Sequence, residues 1–306
     1  MKHDALKATL PGKIFLSTED ERVYAAVRIG LALAALWSLV MLWPLRVTLL
    51  AEEGSVPQAA AAEQSEMCTV LLFHFFPSGD GVTLLMLLAG AAMLLLMAGV
   101  LPRMAAFFVF LWQLSLMERA PLAAAGWDMV LRSFSFLVLV SPLGKCWSLL
   151  AIIGRRSSVP ARVARYGLVL MRLQVLVVYW QTVVLKLANP NPYWWNGEFL
   201  PYFLLSEYSR WPGAWVAEYA DALALGTWAA LLAEAVVPVL LLIRRTRFYG
   251  MALGMILHGL ITLAAPQIGP FMVVMAATYA AFLTGEDVRR IGQCLTALAA
   301  RFSARR

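Results

Sequence analysis

The sequence predicts an all-α fold, a polytopic membrane helical bundle of about eight transmembrane helices with both termini in the cytoplasm. Hydrophobic residues make up 61% of the 306-residue chain and charged residues only 14%, and the mean hydropathy is +0.74. Water-soluble chains of this length do not have such a composition. The apolar residues also fall into blocks of about 20, the length that crosses the hydrocarbon core of a bilayer. Basic residues are concentrated in alternate loops, which predicts a single orientation of the bundle.

Eight apolar blocks are predicted to cross the membrane. In chain order they are residues 25–50, 81–101, 104–117, 129–142, 167–188, 222–243, 249–264 and 268–284. The first 24 residues are charged and lack the apolar centre of a cleaved signal peptide. The chain is therefore predicted to consist of a cytoplasmic N-terminal segment (1–24), a transmembrane domain (25–284) and a basic amphipathic cytoplasmic tail (285–306).

The loop charges determine the predicted orientation. With eight spans, 18 of the 25 lysines and arginines lie on the side of the two termini, and only Arg119 and Arg210 lie in the opposite loops. The positive-inside rule then places both termini in the cytoplasm, and the bundle is expected in the inner (plasma) membrane of the cell. This topology explains the net charge of +7. It predicts contact with anionic membrane lipids and no binding of nucleic acid.

The fifth predicted span carries a stripe of polar side chains. Arg172, Tyr179 and Lys186 follow one another at intervals of seven residues, so they stay on one face of a helix. An ionisable side chain costs roughly 2.5–3.5 kcal/mol at the membrane centre on insertion scales. A lysine in such a segment is therefore expected to have a partner or a function. Burial against apolar neighbours favours its neutral form, which is a base.

Two further ionisable residues lie near the middle of their predicted spans, Glu234 in the sixth and His258 in the seventh. A buried carboxylate has to be protonated or paired, and His258 is the natural partner, with Tyr179 and Arg172 as alternatives. A pair that only orients helices is the competing interpretation. Gly250 and Gly254 form a GxxxG step in the seventh span, which predicts close packing on a neighbouring helix.

The other ionisable residues of the spans have simpler interpretations. Asp128 and Arg132 are four residues apart and are predicted to form a salt bridge with each other. Arg28 and Arg46, at the two ends of the first span, are predicted to extend to the membrane interfaces.

Motifs of soluble enzymes and of metal sites are missing from the sequence. It contains no phosphate loop, no dinucleotide-binding fingerprint and no HExxH. The spacing of Cys68, Cys146 and Cys294 indicates neither a disulfide framework nor a zinc site. No metal is therefore predicted, and any chemistry must use the polar residues of the spans.

The loop of residues 189–221 is rich in proline and aromatic residues, and it includes the adjacent Trp194 and Trp195. Such a loop is either an aromatic belt at the membrane interface or a lid over the polar stripe. The lid interpretation makes Trp195 a substrate-binding residue.

Five segments carry a resemblance to a known family. They are RIGLALAALW, GWDMVLRSFSFLVLVSPLGKCWSL, VYWQTVVLKLANPNPYWWNGEFLPYFL, LLAEAVVPVLLL and GMILHGLITLAAPQIGPFMVVMAATYAAFL. In this order they resemble the HTTM family, the membrane domain shared with vitamin K-dependent gamma-glutamyl carboxylase. The resemblance extends over roughly residues 25–284.

The resemblance implies a mechanism centred on Lys186. In the carboxylase, the lysine of the matching Tyr-x₆-Lys-Leu stretch is the base that acts on vitamin K hydroquinone, and epoxidation and carboxylation follow. The resemblance implies a reduced quinone as cofactor and a secreted peptide or protein as partner. It makes Lys186 the catalytic residue and assigns substrate binding to Arg172, Tyr179, Glu234, His258 and Trp195.

The chain also departs from the carboxylase. It has Trp127 and Asp128 where the carboxylase has a histidine, and residues 285–306 stand where the carboxylase has a large soluble domain. Three hypotheses therefore remain open. The first is a quinone-linked membrane enzyme of the carboxylase type. The second is a non-catalytic membrane factor for the maturation or export of a secreted peptide. The third is a transporter, although no internal repeat is visible.

Overall fold

The computed structural model of the protein describes residues 15, 17–64, 71–121, 124–143, 146–154 and 160–303, with all of their side chains except those of residues 64, 71 and 295–303. Most of the predicted N-terminal segment, Cys68 and the apolar side chains Leu295, Leu298 and Phe302 of the tail lie outside this description. The described chain is mostly helical, as predicted. It divides into two compact units, residues 1–171 with 280–306 and residues 172–279.

The described helices follow one another with short connections. In chain order they are α1 (Glu21–Leu42), α2 (Arg46–Leu50), α3 (Gln58–Gln64), α4 (Leu71–Phe75), α5 (Gly79–Ala98), α6 (Pro102–Arg119), α7 (Gly126–Val140), α8 (Leu149–Ile152), α9 (Tyr166–Ala188), α10 (Phe199–Leu205), α11 (Trp215–Glu218), α12 (Ala220–Leu242), α13 (Arg247–Ala264), α14 (Gly269–Tyr279) and α15 (Gly285–Ser303). Single 3₁₀ turns lie at Trp43–Leu45, Pro266–Ile268 and Ala280–Phe282. Two short strands, β1 (Thr18–Asp20) and β2 (Arg162–Ala164), pair in antiparallel register.

Among the described residues, five helical segments are long and apolar enough to cross a membrane. They are Glu21–Leu50, Gly79–Ala98, Tyr166–Ala188, Ala220–Leu242 and Arg247–Ala264, and a shorter apolar segment follows at Pro266–Phe282. Each of the eight predicted spans contains a helix, but α7 has only 15 residues, and α6 carries charged residues in its first and last turns. The membrane character of the chain is therefore shown, while the count of eight spans and the orientation of the termini stay predictions.

In the first unit, α1 packs against α5 and α7, and α6 packs against the same two helices. Asp20 caps the N-terminus of α1; its carboxylate accepts a hydrogen bond from the Arg22 amide at 2.9 Å and pairs with the Arg22 guanidinium at 2.6 Å. An aspartate at this position satisfies amides that the first turn leaves unpaired. α5 ends at Gly99, whose φ of +66° places it in the left-handed region, which glycine adopts without steric cost.

Two arginines of the first unit are buried against backbone carbonyls. Arg28 is 1% exposed and donates to the carbonyl of Trp147 at 2.8 Å. The prediction that its side chain extends to a membrane interface is therefore wrong. Arg119 was predicted to lie in an outer loop, but it is the last residue of α6 and is fully buried. Its guanidinium donates to the carbonyls of Leu50, Ala51 and Val56. Carbonyls at a helix C-terminus lack intrahelical donors, so the end of α2 is a suitable acceptor for a buried cation.

The predicted salt bridge between Asp128 and Arg132 is wrong. The Asp128 carboxylate instead accepts the amide of Ala125 at 3.0 Å and the hydroxyl of Ser38 at 3.3 Å. It lies in the first turn of α7, where unpaired helix amides compete successfully for a carboxylate.

In the second unit, α12 and α13 form an antiparallel hairpin, and α13 packs in turn against α14. The turn between α12 and α13 is closed by Thr246, whose hydroxyl donates to the Leu240 carbonyl at 3.0 Å. A Cβ atom at Gly250 would lie 2.9 Å from the Leu240 side chain and 3.1 Å from the Leu241 amide nitrogen. The predicted close packing at this glycine is confirmed, and its partner is α12.

Candidate functional site

Two polar groups in the second unit connect four of its helices. The first joins Lys186 of α9 to Glu234 of α12. The second joins Tyr179 of α9 to His258 of α13 and Tyr279 of α14. Since Tyr179 and Lys186 are seven residues apart, they lie on one face of α9, about 10 Å from each other along its axis.

Lys186 and Glu234 form an ion pair. The lysine Nζ lies 2.5 Å from each of the two carboxylate oxygens, and the two side chains are 23% and 11% exposed. The ammonium also lies 4.2 Å from the ring centroid of Trp194, which is within the range of a cation–π interaction. Each charge is thus compensated by a nearby group, and the lysine amine keeps some access to its surroundings.

Helix α12 carries a proline one turn after the carboxylate of Glu234. Pro238 lies inside this helix, four residues after Glu234, and a proline has no amide hydrogen to donate to the carbonyl four residues earlier. The loss of this bond and the bulk of the ring bend a helix at that point. Glu234 therefore belongs to the turn of α12 that the proline disturbs.

The loop between α9 and α10 brings Trp194 to the ion pair. Trp194 is buried, and its ring stacks on Phe199 with the centroids 3.9 Å apart. Gly197 has a φ of +78° and lies so close to α12 that a Cβ atom there would be 2.7 Å from the Ala224 side chain. The Thr227 hydroxyl of α12 donates to the Gly197 carbonyl at 2.9 Å. These contacts hold the loop on α12 with one indole face towards the lysine.

Tyr179, His258 and Tyr279 form a buried hydrogen-bonded chain. The Tyr179 hydroxyl lies 2.8 Å from His258 Nε2 and is also hydrogen-bonded to the Tyr279 hydroxyl. The three residues are 2%, 3% and 4% exposed, respectively. The ring of Phe271 stands at 88° to the imidazole, with the centroids 4.8 Å apart. Polar groups buried in this way fix one another's orientation, because an unpaired donor or acceptor is costly in a low-dielectric interior.

Gly254 makes the tyrosine pair possible. A Cβ atom at this position would lie 2.0 Å from the Tyr279 hydroxyl oxygen and 3.1 Å from that of Tyr179. The second glycine of the GxxxG step therefore makes room for two phenol groups, whereas the first packs on a helix backbone.

Four of the six predicted site residues take part in these two groups: Lys186, Glu234, Tyr179 and His258. The predicted pairing of Glu234 with His258 is wrong, since the carboxylate binds Lys186 and the imidazole binds Tyr179. The long lysine stem reaches the carboxylate from the neighbouring helix.

The other two predicted residues lie apart from the ion pair. Arg172 is 14 residues before Lys186 on α9, about 21 Å away along the helix axis. Trp195 is 60% exposed, and its indole N–H donates to the Leu187 carbonyl at 3.0 Å. The neighbouring Trp194, and not Trp195, lies over the ammonium.

Sequence reasoning missed Trp194, Tyr279 and Gly254 as members of the site. Trp194 stands beside Trp195 in the sequence, and only the backbone of the loop decides which indole faces Lys186. Tyr279 is a tyrosine at the end of an apolar block, where tyrosines are common in any membrane protein. Gly254 carried a signal in the GxxxG step, but that step does not say what packs against it.

The arrangement is suited to proton transfer. The lysine Nζ donates directly to both oxygens of the carboxylate, so a proton moving between them would cross a single hydrogen bond. A phenol–phenol–imidazole chain can reverse the direction of its hydrogen bonds, since each of its groups both donates and accepts. Among the described residues, no three histidine, cysteine or acidic side chains come together as metal ligands would.

The helices that carry these groups fall within one family domain. Residues 30–286 match the family model of the HTTM domain. The chain belongs to the HTTM family. No curated protein and no solved structure matches the chain. The HTTM match includes α9, α12, α13 and α14, so both polar groups belong to the HTTM domain. Five helices of the described part of the chain are long and apolar enough to span a bilayer. The protein is therefore an HTTM membrane protein.

Proposed function

We propose that this HTTM protein is a membrane enzyme in which Lys186 takes a proton from the hydroxyl of a reduced quinone. The observation that carries the proposal is the geometry of Lys186. Its amine is held by Glu234 at 2.5 Å within an apolar helix, and the side chain remains 23% exposed. A partly accessible, partly desolvated lysine is the form of this residue that serves as a base.

Glu234 has two tasks in this proposal. It orients the amine, and it accepts the lysine proton when the pair becomes neutral, which leaves a lone pair on Nζ. The N–H bond that then forms on Lys186 replaces the O–H bond that breaks in the bound hydroxyl compound, so the proton count is conserved. The carboxylic acid of Glu234 then passes its proton to water, and the resulting carboxylate again stabilises the Lys186 ammonium.

The surroundings of the lysine fit a flat, apolar ring compound. The buried indole of Trp194 and the ring of Phe199 stacked on it form an aromatic wall next to Nζ. A reduced quinone, when bound, supplies an acidic hydroxyl and two electrons for epoxidation or carboxylation-type chemistry. It dissolves in the bilayer, so it would reach a lysine on an apolar helix without crossing water.

The proposal includes an orientation and a partner. Both termini would lie in the cytoplasm, with the bundle in the inner (plasma) membrane and Lys186 towards the outer side. The excess of basic residues on one set of loops supports this orientation. A secreted peptide or protein is the acceptor that an outward-facing site could serve, and membrane lipids would surround the apolar helices.

The test is turnover of a reduced naphthoquinone by the purified protein in nanodiscs under oxygen and bicarbonate, with mass spectrometry of the products. Wild type is expected to form the epoxide. Lys186→Ala and Lys186→Arg are expected to be inactive, because arginine keeps the charge and the ion pair but is not deprotonated in proteins. Lys186→Arg is the matched control for the structural role, and its thermal unfolding midpoint should stay near that of wild type.

A second function is favoured by the completeness of the ion pair. Both carboxylate oxygens of Glu234 contact Lys186, as in a pair that only ties two helices together. A non-catalytic membrane factor for the maturation or export of a secreted peptide would need no more. Absence of quinol turnover in folded wild type, with a peptide partner captured by crosslinking in native membranes, would establish this function in place of the first.

A further inference from the structure

The imidazole of His258 has one nitrogen that the tyrosine chain does not use. Nε2 is bound by Tyr179, whereas Nδ1 is buried and has no hydrogen-bond partner among the described residues. The residue as a whole is 3% exposed. Leaving a buried donor or acceptor unpaired costs on the order of 1–3 kcal/mol. The buried His258 can therefore form one further hydrogen bond, at Nδ1.

The two tyrosines determine what Nδ1 can bind. If the Tyr279 hydroxyl donates to Tyr179 and the Tyr179 hydroxyl donates to Nε2, then Nδ1 carries the proton and is a donor. If the chain runs the other way, Nε2 donates to Tyr179 and Nδ1 becomes an acceptor. The same three residues can therefore bind a carbonyl oxygen in one state and a hydroxyl group in the other.

The group around the imidazole selects for an aromatic ligand. Phe271 stands edge to face against the His258 ring, and it is itself only partly buried. An incoming ring would take the place of the Phe271 ring on the imidazole and exchange one aromatic contact for another. A single oxygen on that ring could then reach Nδ1.

We infer that His258 Nδ1 is the hydrogen-bonding group for one ring oxygen of an aromatic, quinone-type ligand, with Tyr179 and Tyr279 switching it between donor and acceptor. This inference rests on the proposed function for the ligand class and extends it to a second contact, separate from Lys186. The switch matches the chemistry of the ligand, which has a hydroxyl in its reduced form and a carbonyl in its oxidised form.

The test uses two variants, each of which keeps a polar amide near the position of one of the two imidazole nitrogens. The amide of asparagine is attached through Cγ, as Nδ1 is, so His258→Asn keeps a polar group at the Nδ1 position. His258→Gln places its amide further out, near the Nε2 position, and keeps the contact with Tyr179. The measurement is the equilibrium binding of an oxidised short-chain naphthoquinone to each full-length variant in nanodiscs, followed by quenching of tryptophan fluorescence.

The expected result is affinity close to that of wild type for His258→Asn and about tenfold weaker binding for His258→Gln, the loss expected for one hydrogen bond. If His258 were only structural, His258→Gln would bind more tightly than His258→Asn. That result would overturn the inference. Equal binding by all three proteins, or weaker binding by both variants, would also overturn it. A wild type that binds no quinone overturns the proposed function as well. If wild type binds the quinone with the same affinity as His258→Gln, this inference alone is overturned.

Wild type provides a second measurement that does not depend on the folding of any variant. With both carbonyl carbons of the bound quinone isotopically labelled, the infrared spectrum should show one carbonyl band shifted to lower frequency by the hydrogen bond from Nδ1. Two unshifted bands would overturn the inference.

Discussion

Single residues decide which side chains meet in this site. The sequence marked Lys186 and Glu234 because each is an ionisable group in an apolar segment. It did not reveal that the two are partners, since 48 residues separate them and the depth of a side chain depends on how each helix is placed. The lysine stem also reaches further than an estimate from the Cα position suggests. Individual candidates were therefore predictable, and their pairing was not.

The adjacent tryptophans provide a test of the site at this scale. Trp194→Leu removes the ring over the Lys186 ammonium and its stacking on Phe199, and we expect it to lower stability by about 2 kcal/mol or more. Trp195→Leu changes a residue that is 60% exposed, and we expect a change of about 0.5–1 kcal/mol, mainly from its bond to the Leu187 carbonyl. Thermal unfolding of both variants in the same detergent measures the difference. A larger loss in the Trp195 variant would contradict the assigned orientation of the loop.

At the scale of elements, α13 organises the second polar group: it supplies His258, and its Gly254 makes room for the two tyrosines. One face of this helix carries Gly250 and Gly254 at the spacing of a single turn, and the imidazole of His258 follows one turn later. The GxxxG step predicted close packing, which is confirmed at Gly250. That Gly254 accommodates two phenols could not be predicted, because the tyrosines come from two different helices, α9 and α14, and are 100 residues apart in the chain.

Two glycines of α13 form a matched pair for a prediction. Gly254→Ala would place a Cβ atom 2.0 Å from the Tyr279 hydroxyl oxygen, whereas a Cβ atom at Gly259 meets nothing within 4 Å. We expect Gly254→Ala to destabilise the protein by about 1–3 kcal/mol through overpacking. Gly259→Ala should be neutral or stabilise it by up to about 1 kcal/mol through helix propensity.

The readout for this pair is the thermal unfolding midpoint. Tyr279→Phe removes the hydroxyl that clashes, so it should partly restore the stability of Gly254→Ala. Equal midpoints for Gly254→Ala and Gly259→Ala would show that the tyrosine pair does not lie against Gly254.

At the scale of the whole molecule, the distribution of charge predicts how the bundle crosses the membrane. Eighteen basic residues on one side and two on the other give a strong positive-inside signal. The structure adds that Arg119, one of those two, is buried at the end of α6, so the opposite side exposes even less positive charge. The cytoplasmic position of both termini stays a prediction from the loop charges.

Reporter fusions test this orientation. We expect a fluorescent reporter that matures only in the cytoplasm to be active after residue 306, and a phosphatase that is active only outside it to be inactive there. A fusion within the loop of residues 189–198 should behave in the opposite way. Cytoplasmic activity at both positions would contradict the predicted path of the chain between α9 and the tail.

The sequence by itself determined the class of this protein. Composition, block length and loop charge reflect the cost of placing polar groups in lipid, which acts on each segment separately. The family could also be seen in the order of local segments, and the match over residues 30–286 confirms it. The tertiary structure alone decided that Lys186 pairs with Glu234 under Trp194, and that Tyr279 joins Tyr179 and His258. Such contacts depend on the rotation, depth and bending of each helix, which arise from packing between segments distant in the chain and leave no periodic pattern in the sequence.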